Sequence, residues 1–427
     1  MTMDKMKTIL LITLVAASLF QSYKLAYSYP KLEQISTNEY IQPEMLGKQV
    51  EIKELIFPDQ IVVHHGNELH SVLYPNTNDY ESLLDTIKQR SFDGLSSLTS
   101  YQLNVDLEQA QHNYEGIELV FRQGLPLKLL QNIFRIRYED SIDNDTITRI
   151  WIMKIQESEE IRALFFTDTS NIIYEVSKAD FTTKDVENFI AFGDISKPYR
   201  YFQNDILLPT LPVVSSVYAY EYTEYSVEQL KGILFVDPGI TRNIKERDGS
   251  EIYTDGKRGF RITQEDKLFT YTNPIATNTT LDGIKDQMIA SVKFINEHGG
   301  WDASYIMAMN TQRQRLKKEK FFFQMFYGSY PVVDIQKQKF GKINVFVEDG
   351  IVTNYERSLL IPDSVVRTVG EELLISANEI EEVLKYYPKA ELIVMIYPIY
   401  TSVVSETQIT LYPVWAVELR DGTIDVI

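Results

Sequence analysis

One short stretch near the amino terminus constrains this chain more than any other. Lys5 and Lys7 precede Thr8–Tyr23, 16 residues without a charge and with an apolar centre from Ile9 to Phe20. Lysines on the N-terminal flank of such a run hold that end in the cytoplasm, so the remaining chain is expected outside. Two readings of the segment stand side by side. Ala16-Ala17-Ser18 and Ala26-Tyr27-Ser28 resemble the small-residue cleavage sites of signal peptides. Against cleavage, Thr8–Tyr27 is 20 residues, and a helix rising about 1.5 Å per residue would cover roughly 30 Å, one hydrocarbon core. Lys24 could snorkel to the headgroups, and Tyr23, Tyr27 and Tyr29 would form an aromatic belt. An uncleaved single-pass anchor in the cell membrane, with the bulk of the chain extracytoplasmic, is the reading favoured here.

An anchor of this composition would not be uniformly apolar. Thr13, Ala17 and Gln21 recur at i, i+4 and i+8, with Ser18 and Ser22 beside them. Small and weakly polar residues on one stripe let a second transmembrane helix approach closely, so these five are candidate partner-helix contacts.

The 427 residues are 44% hydrophobic, enough for two or three folded domains. There is no cysteine, which excludes disulfides and thiol catalysis, and the net charge of −18 argues against nucleic acid or anionic polymers as partners. The dense basic run Arg313-Gln-Arg-Leu-Lys317-Lys318-Glu-Lys320 reads as a solvated hairpin loop, or as a contact for membrane or an acidic partner. Among 27 tyrosines, Tyr218, Tyr220 and Tyr222 alternate and would share one face of a strand. They would pack under a neighbouring helix or form a tyrosine-rich partner surface.

Periodicity sets the organisation. Residues 1–7 form a cytoplasmic tail, 8–27 the anchor and 28–49 a polar stalk, followed by α+β domains at 50–207, 208–300 and 301–427. The Pro-containing run Leu207–Pro212 is the best boundary after the stalk. In the first domain Ile61–His65, Leu103–Leu107, Glu118–Phe121, Thr146–Ile155 and Arg162–Thr167 are predicted strands. Tyr80–Arg90, Leu127–Phe134 and Thr183–Phe189 are predicted helical. Beyond residue 210 the pattern of helix, strands and Asp-Gly turn recurs. Val227–Leu234, Leu281–Asn296 and Asn378–Tyr387 supply the helices, each able to cover one face of an antiparallel sheet.

Chemistry is sparse. The five histidines are His64, His65, His70, His112 and His298. His64, His65, Glu68 and His70 are the one candidate metal cluster. Adjacent His64 and His65 point to opposite faces of a strand, so at most one of them can join His70, and strand-edge histidines flanking a turn are expected instead of a metal site. No nucleophile elbow or phosphate loop is present, and Asp143-Asn144-Asp145 lacks the glycine and closing glutamate of a calcium loop. With 60 Asp and Glu, nothing singles out a pair for glycoside hydrolysis. No catalytic residue, metal or cofactor is assigned.

Several segments together carry a resemblance. The N-terminal hydrophobic segment precedes Glu54-Leu-Ile-Phe-Pro-Asp-Gln-Ile-Val-Val-His64, then Leu234-Phe-Val-Asp-Pro-Gly and Tyr253-Thr-Asp-Gly-Lys-Arg-Gly-Phe. Leu411-Tyr-Pro-Val-Trp415 and a short Asp-Gly hairpin end the chain. In order and length the whole chain resembles the YycH (WalH) regulatory proteins of Gram-positive bacteria. The resemblance implies an uncleaved transmembrane helix, a three-domain extracytoplasmic portion and no catalysis. It implies modulation of the sensor histidine kinase WalK (YycG) of the WalKR (YycFG) system, which controls cell-wall metabolism. A YycI-type membrane protein would be a second partner, with transmembrane helices taking part in the contact. A wall- or ligand-binding protein, or a wall hydrolase, are the alternatives.

Overall fold

The computed structural model describes the chain apart from residues 1–2, 28–46, 100–101, 104, 156–159, 170–171, 194, 196, 203–205, 275–282, 310–317 and 336–339. The expected stalk, and the basic run up to Lys317, therefore fall largely outside the described residues. Two compact units are present, Met1–Pro43 and Glu44–Ile427.

The first unit contains one helix, α1 (Met3–Tyr27). Its helix-forming run of leucine, isoleucine and alanine continues through Lys5 and Lys7, so the helix is longer than the uncharged stretch. Leu10, Leu11, Ile12, Leu14, Val15, Leu19 and Phe20 are all exposed. Among the described residues no helix is long and apolar enough to cross a membrane.

The second unit is built on two large sheets. The first uses β1 (Gln60–His65), β2 (His70–Leu73), β3 (Ser91–Leu98), β4 (Glu115–Pro126), β5 (Arg135–Arg137), β6 (Thr146–Lys154), β7 (Ile161–Thr167), β8 (Ile173–Ala179), β9 (Tyr199–Phe202) and β10 (Ile206–Pro209). Their order is β10-β9-β2-β1-β4-β6-β7-β8-β3-β5. Pairing is antiparallel except between β3 and β5. Three helices accompany this sheet, α2 (Asn78–Lys88), α3 (Leu107–Asn113) and the single turn α4 (Leu127–Leu130), and α5 (Thr183–Ile190) follows β8. Along β1, Ile61 and Val63 enter the main core with Leu83, Leu84 and Ile87 of α2. The α5 helix packs on β1, β4 and β6. On the other face, Ala110 of α3 closes a smaller cluster with Trp151, Met153, Leu164 and Phe166.

The second sheet comprises β11 (Val213–Glu224), β12 (Arg242–Lys245), β13 (Glu251–Thr254), β14 (Gly259–Thr263), β15 (Leu268–Thr272), β16 (Ser304–Met309), β17 (Lys318–Tyr327), β18 (Tyr330–Val333), β19 (Lys342–Glu348), β20 (Ile351–Ser358), β21 (Leu360–Leu374), β22 (Ile393–Val404), β23 (Gln408–Leu419) and β24 (Ile424–Val426). The path runs β12-β13-β14-β15-β20-β19-β17-β18-β22-β23-β11-β21, with β16 beside β17 and β24 beside β23. Helices α6 (Val227–Leu234), α7 (Ile284–Glu297) and α8 (Ala377–Leu384) each precede a run of these strands. Met288, Val292 and Ile295 of α7 are buried, and the helix lies on β17, β19 and β20. The chain is thus α+β, with mostly antiparallel sheets and helices on their faces.

Capping side chains begin several helices where the sequence places them. Thr182 with Asp185, Ser226 with Gln229 and Ser376 with Glu379 form reciprocal capping boxes. Each such cap stabilises a helix start by about 1 kcal/mol. One predicted strand is corrected: within Leu103–Leu107, Asp106 accepts from Gln109 N and starts α3. The local N-cap outweighs the alternating apolar residues that suggested a strand. Leu127–Phe134 is helical only as far as Leu130.

Candidate functional site

Three of the five histidines, His64, His70 and His112, converge on one face of the first sheet, with His65 on the other. The hairpin between β1 and β2 turns through Gly66, Asn67 and Glu68, all with positive φ. This tight turn pairs His64 opposite His70. The two rings meet at 3.1 Å between their Nδ1 atoms, so one donates and the other accepts. Next to His64 on β4 lies Gly116, where a Cβ would come within 2.4 Å of Ile152 O. His65 points to the opposite face, where its Nε2 is 2.9 Å from Ser71 Oγ. As expected from strand geometry, only one of the adjacent pair joins His70.

Two charged side chains complete the cluster. Glu118 on β4 is 3.5 Å from His64 Nε2 and 3.1 Å from Arg149 on β6. Rings surround them. Trp151 lies 5.7 Å from His64, and Tyr201 meets both His70 at 4.9 Å and His112 at 5.6 Å. A cleft of 370 Å³ opens over Arg149, Trp151, Phe166, Tyr201 and His112. The buried Trp151 indole N–H finds no acceptor among the described residues.

The electrostatics follow from burial. His64 is 0% and His70 1% exposed. Desolvation, followed by the nearby rings of His64, His112 and His65, pushes the His70 pKa down to about 3. Burial lowers His65 as well, with His64 adding to it. For Glu118 burial alone would raise the carboxyl, but Arg149 and His64 outweigh it and hold the group below its ordinary value. Glu118 and Arg149 were not singled out from sequence. The available signal was a lone carboxylate or guanidinium in a strand otherwise destined for burial, since such groups are buried only with partners. Glu68, by contrast, sits exposed in the turn, its backbone N–H donating to His112 O at 2.6 Å. Among the described residues no group of three or more His, Asp or Glu is arranged to hold a metal ion.

The tyrosine row lies elsewhere. Tyr220 is 3% exposed, and Tyr218 and Tyr222 are half-buried on β11. Their ring partners come not from a helix, as one expectation had it, but from β17, β22 and the turn before β19. Tyr218 meets Tyr327 at 4.6 Å and Tyr400 at 5.7 Å, Tyr220 approaches Tyr327 and Phe340, and the Tyr222 hydroxyl donates to Ser405 O. The folding back of the second sheet brings these rings together, which alternation along one strand could not reveal. On α1, Thr13, Ala17, Ser18, Gln21 and Ser22 all lie in the exposed part of the helix.

Fold and site together define a two-sheet α+β protein with a helical amino-terminal unit, a polar cluster buried beneath a cleft and no assembled catalytic constellation among the described residues. The chain belongs to the YycH family. The YycH protein N-terminal domain matches residues 4–192 and the C-terminal domain residues 203–427. It is 19% identical over 446 aligned positions to the Bacillus subtilis (strain 168) protein named "Two-component system WalR/WalK regulatory protein YycH", covering 98% of this chain and 95% of that one. The crystal structure of YycH from Bacillus subtilis superposes with a TM-score of 0.69 at 17% identity, over 90% of this chain and 98% of that one. That likeness shows the fold, and the family expected from the residues is the one found.

Proposed function

We propose that this chain is a non-enzymatic, membrane-anchored regulator of a WalR/WalK-type two-component system, acting on the sensor histidine kinase together with a YycI-type partner. The observation that carries the reading is end-to-end similarity to the Bacillus subtilis regulator, across both family domains. In this reading α1 stays uncleaved as a single-pass anchor with its amino terminus in the cytoplasm. The division into 8–27, 28–49, 50–207, 208–300 and 301–427 belongs to the same proposal, as does control of cell-wall metabolism.

The mechanism is a population shift. A helix that packs better against one signalling state of the kinase than the other moves the equilibrium by that difference alone. A differential of about 1.4 kcal/mol shifts the ratio tenfold, within reach of a few small-residue helix contacts. Support comes from the exposed apolar side chains of α1 and from the stripe Thr13, Ala17 and Gln21 flanked by Ser18 and Ser22. The test replaces Ala17 or Gln21 with leucine, or residues 6–28 with an unrelated anchor. Kinase output should change, and recovery of the kinase with the full chain should fall, at equal protein levels. Unchanged transcription of the kinase-controlled genes would sink the helix-coupled reading.

A further inference from the structure

A cleft of 380 Å³ between the two sheets holds charges of both signs that the fold leaves without ionic partners. Phe57, Ile306, Met307, Phe322, Pro331 and Val333 give it an apolar wall. Five charged side chains share the lining, the acids Asp59, Glu418 and Asp421 and the cations Arg122 and Lys342. Asp59 and Arg122 neutralise each other. The carboxylate accepts from Arg122 N at 2.8 Å and from the guanidinium, which lies 3.9 Å from the centre of the Tyr397 ring. Glu418 accepts from the Tyr397 hydroxyl at 3.0 Å and from Gln123 Nε2 at 3.5 Å, both neutral groups. Arg122 feels the charge of Glu418, but its ion pair is with Asp59. Asp421, in the exposed turn after β23, adds a second carboxylate at the rim.

Lys342 has no carboxylate within ion-pair distance among the described residues, and its Nζ lies 4.3 Å from the centre of the Phe322 ring. Desolvation and then the like charge of Lys320 push its amine below the usual value, which Glu356 only partly offsets. Strand order explains why Lys342 and Glu418 do not meet. They stand on β19 and β23, with β17, β18 and β22 between them. Four strand spacings of about 4.8 Å put roughly 19 Å between the two backbones, more than the two side chains span.

We propose that this cleft binds a short peptide of about three residues with free amino and carboxyl ends. Its ammonium would sit on Glu418 and Asp421, its carboxylate on Lys342, and a central apolar side chain against Phe322 and Met307. An anion alone would be repelled by Glu418 and Asp421, and a cation alone by Lys342. A ligand charged oppositely at its two ends answers both. The gap sets the length. A free amino acid carries both charges on one Cα and is too short, whereas three residues extended at about 3.3–3.6 Å each reach about 10 Å, which the two side chains meet from either end. The volume lies in the range of roughly 300–1,000 Å³ found for small-molecule sites. The inference goes beyond the helix-coupled regulation above and stands on the cleft alone.

The test is calorimetric titration of the full chain with the tripeptide Ala-Phe-Ala. Saturable binding is expected, about tenfold weaker for the N-acetylated and for the C-amidated peptide, and absent for free phenylalanine. Lys342→Gln should weaken the parent peptide about tenfold while leaving the amidated one unchanged, because that ligand has no carboxylate to lose. Glu418→Gln should weaken the parent and leave the acetylated peptide unchanged, for the same reason at the other end. The blocked peptides, titrated into the unaltered chain, keep the proposal testable if either variant folds poorly. Equal affinity for the parent and both blocked forms would overturn it, and so would the absence of any binding.

Discussion

The two sheets each bury a charged cluster, and they do so in opposite ways. In the first sheet Glu118 is compensated by Arg149 and by the ring of His64, which in turn meets His70. In the second, Arg357 and Asp302 meet at 2.8 Å with side chains 2% and 4% exposed. Arg357 also donates to Gly300 O at 2.7 Å and to the Tyr355 hydroxyl at 3.1 Å, and Tyr305 donates to Asp302 at 2.8 Å. The second cluster is built from a guanidinium, a carboxylate and tyrosine hydroxyls, with no imidazole in it. The first cluster includes His70, which the unfolded chain protonates near 6.5 and the fold holds neutral down to about 3. The two clusters therefore differ in their response to acid: the cost of keeping His70 neutral falls on the first alone.

The largest expected effect breaks the ion pair of the second cluster. Arg357→Met leaves Asp302 buried without its cation, and removing one partner of such a pair costs about 3–5 kcal/mol. Urea unfolding should show this loss at pH 7 and at pH 5 alike. A loss under about 1 kcal/mol would mean that solvent reaches Asp302 and that the cluster is not sealed.

Acid should separate the two regions next. The unfolded chain takes up a proton on His70 near 6.5, whereas the folded chain resists it down to about 3. Between those values the unfolded state binds more protons, so the contribution is complete above 6.5 and is lost as the pH falls below it. By about pH 5 this ring alone costs about 2 kcal/mol, at about 1.4 kcal/mol per pH unit. His65 is shifted in the same sense. His70→Gln should therefore flatten the dependence of the urea midpoint on pH between about 7.5 and 5. A slope that survives the substitution would assign the acid response elsewhere.

The smallest effect sharpens the contrast. The second sheet has its own depressed histidine, His298, lowered by burial, while its hydrogen bond to Phe294 O at 2.8 Å pushes back. The ring stacks on Phe294 at 3.9 Å. His298→Gln should change the acid slope by less than His70→Gln over the same interval, because the hydrogen bond to Phe294 O opposes the effect of burial. A larger change than that for His70 would reverse the assignment of the two regions.

Local signals and remote ones were unequally legible. Thr182-x-x-Asp185, Ser226-x-x-Gln229 and Ser376-x-x-Glu379 declare helix starts within four residues, and the expected helices begin there. Alternation in Ile61–His65 was enough to separate His64 from His65, because a strand has only two faces. Asp106 shows the limit, since a single cap changed an apolar alternation into a helix start. Strands such as β3 and β21, rich in serine or interrupted by Pro362 and Gly370, carried no period strong enough to read.

The sequence alone determined the family, the α+β class, the hydrophobic amino-terminal helix and the limit that no more than one of His64 and His65 can join His70. All of these rest on residues close together in the chain or on the order of segments along it. Only the tertiary structure decided that Glu118, Arg149, Tyr201 and His112 gather around those two rings. It alone brought Asp302 to Arg357, and folded Tyr218 and Tyr220 against rings more than one hundred residues away. Those contacts depend on strand order and register across a whole sheet, and shifting register by one residue would turn each of these side chains to the other face.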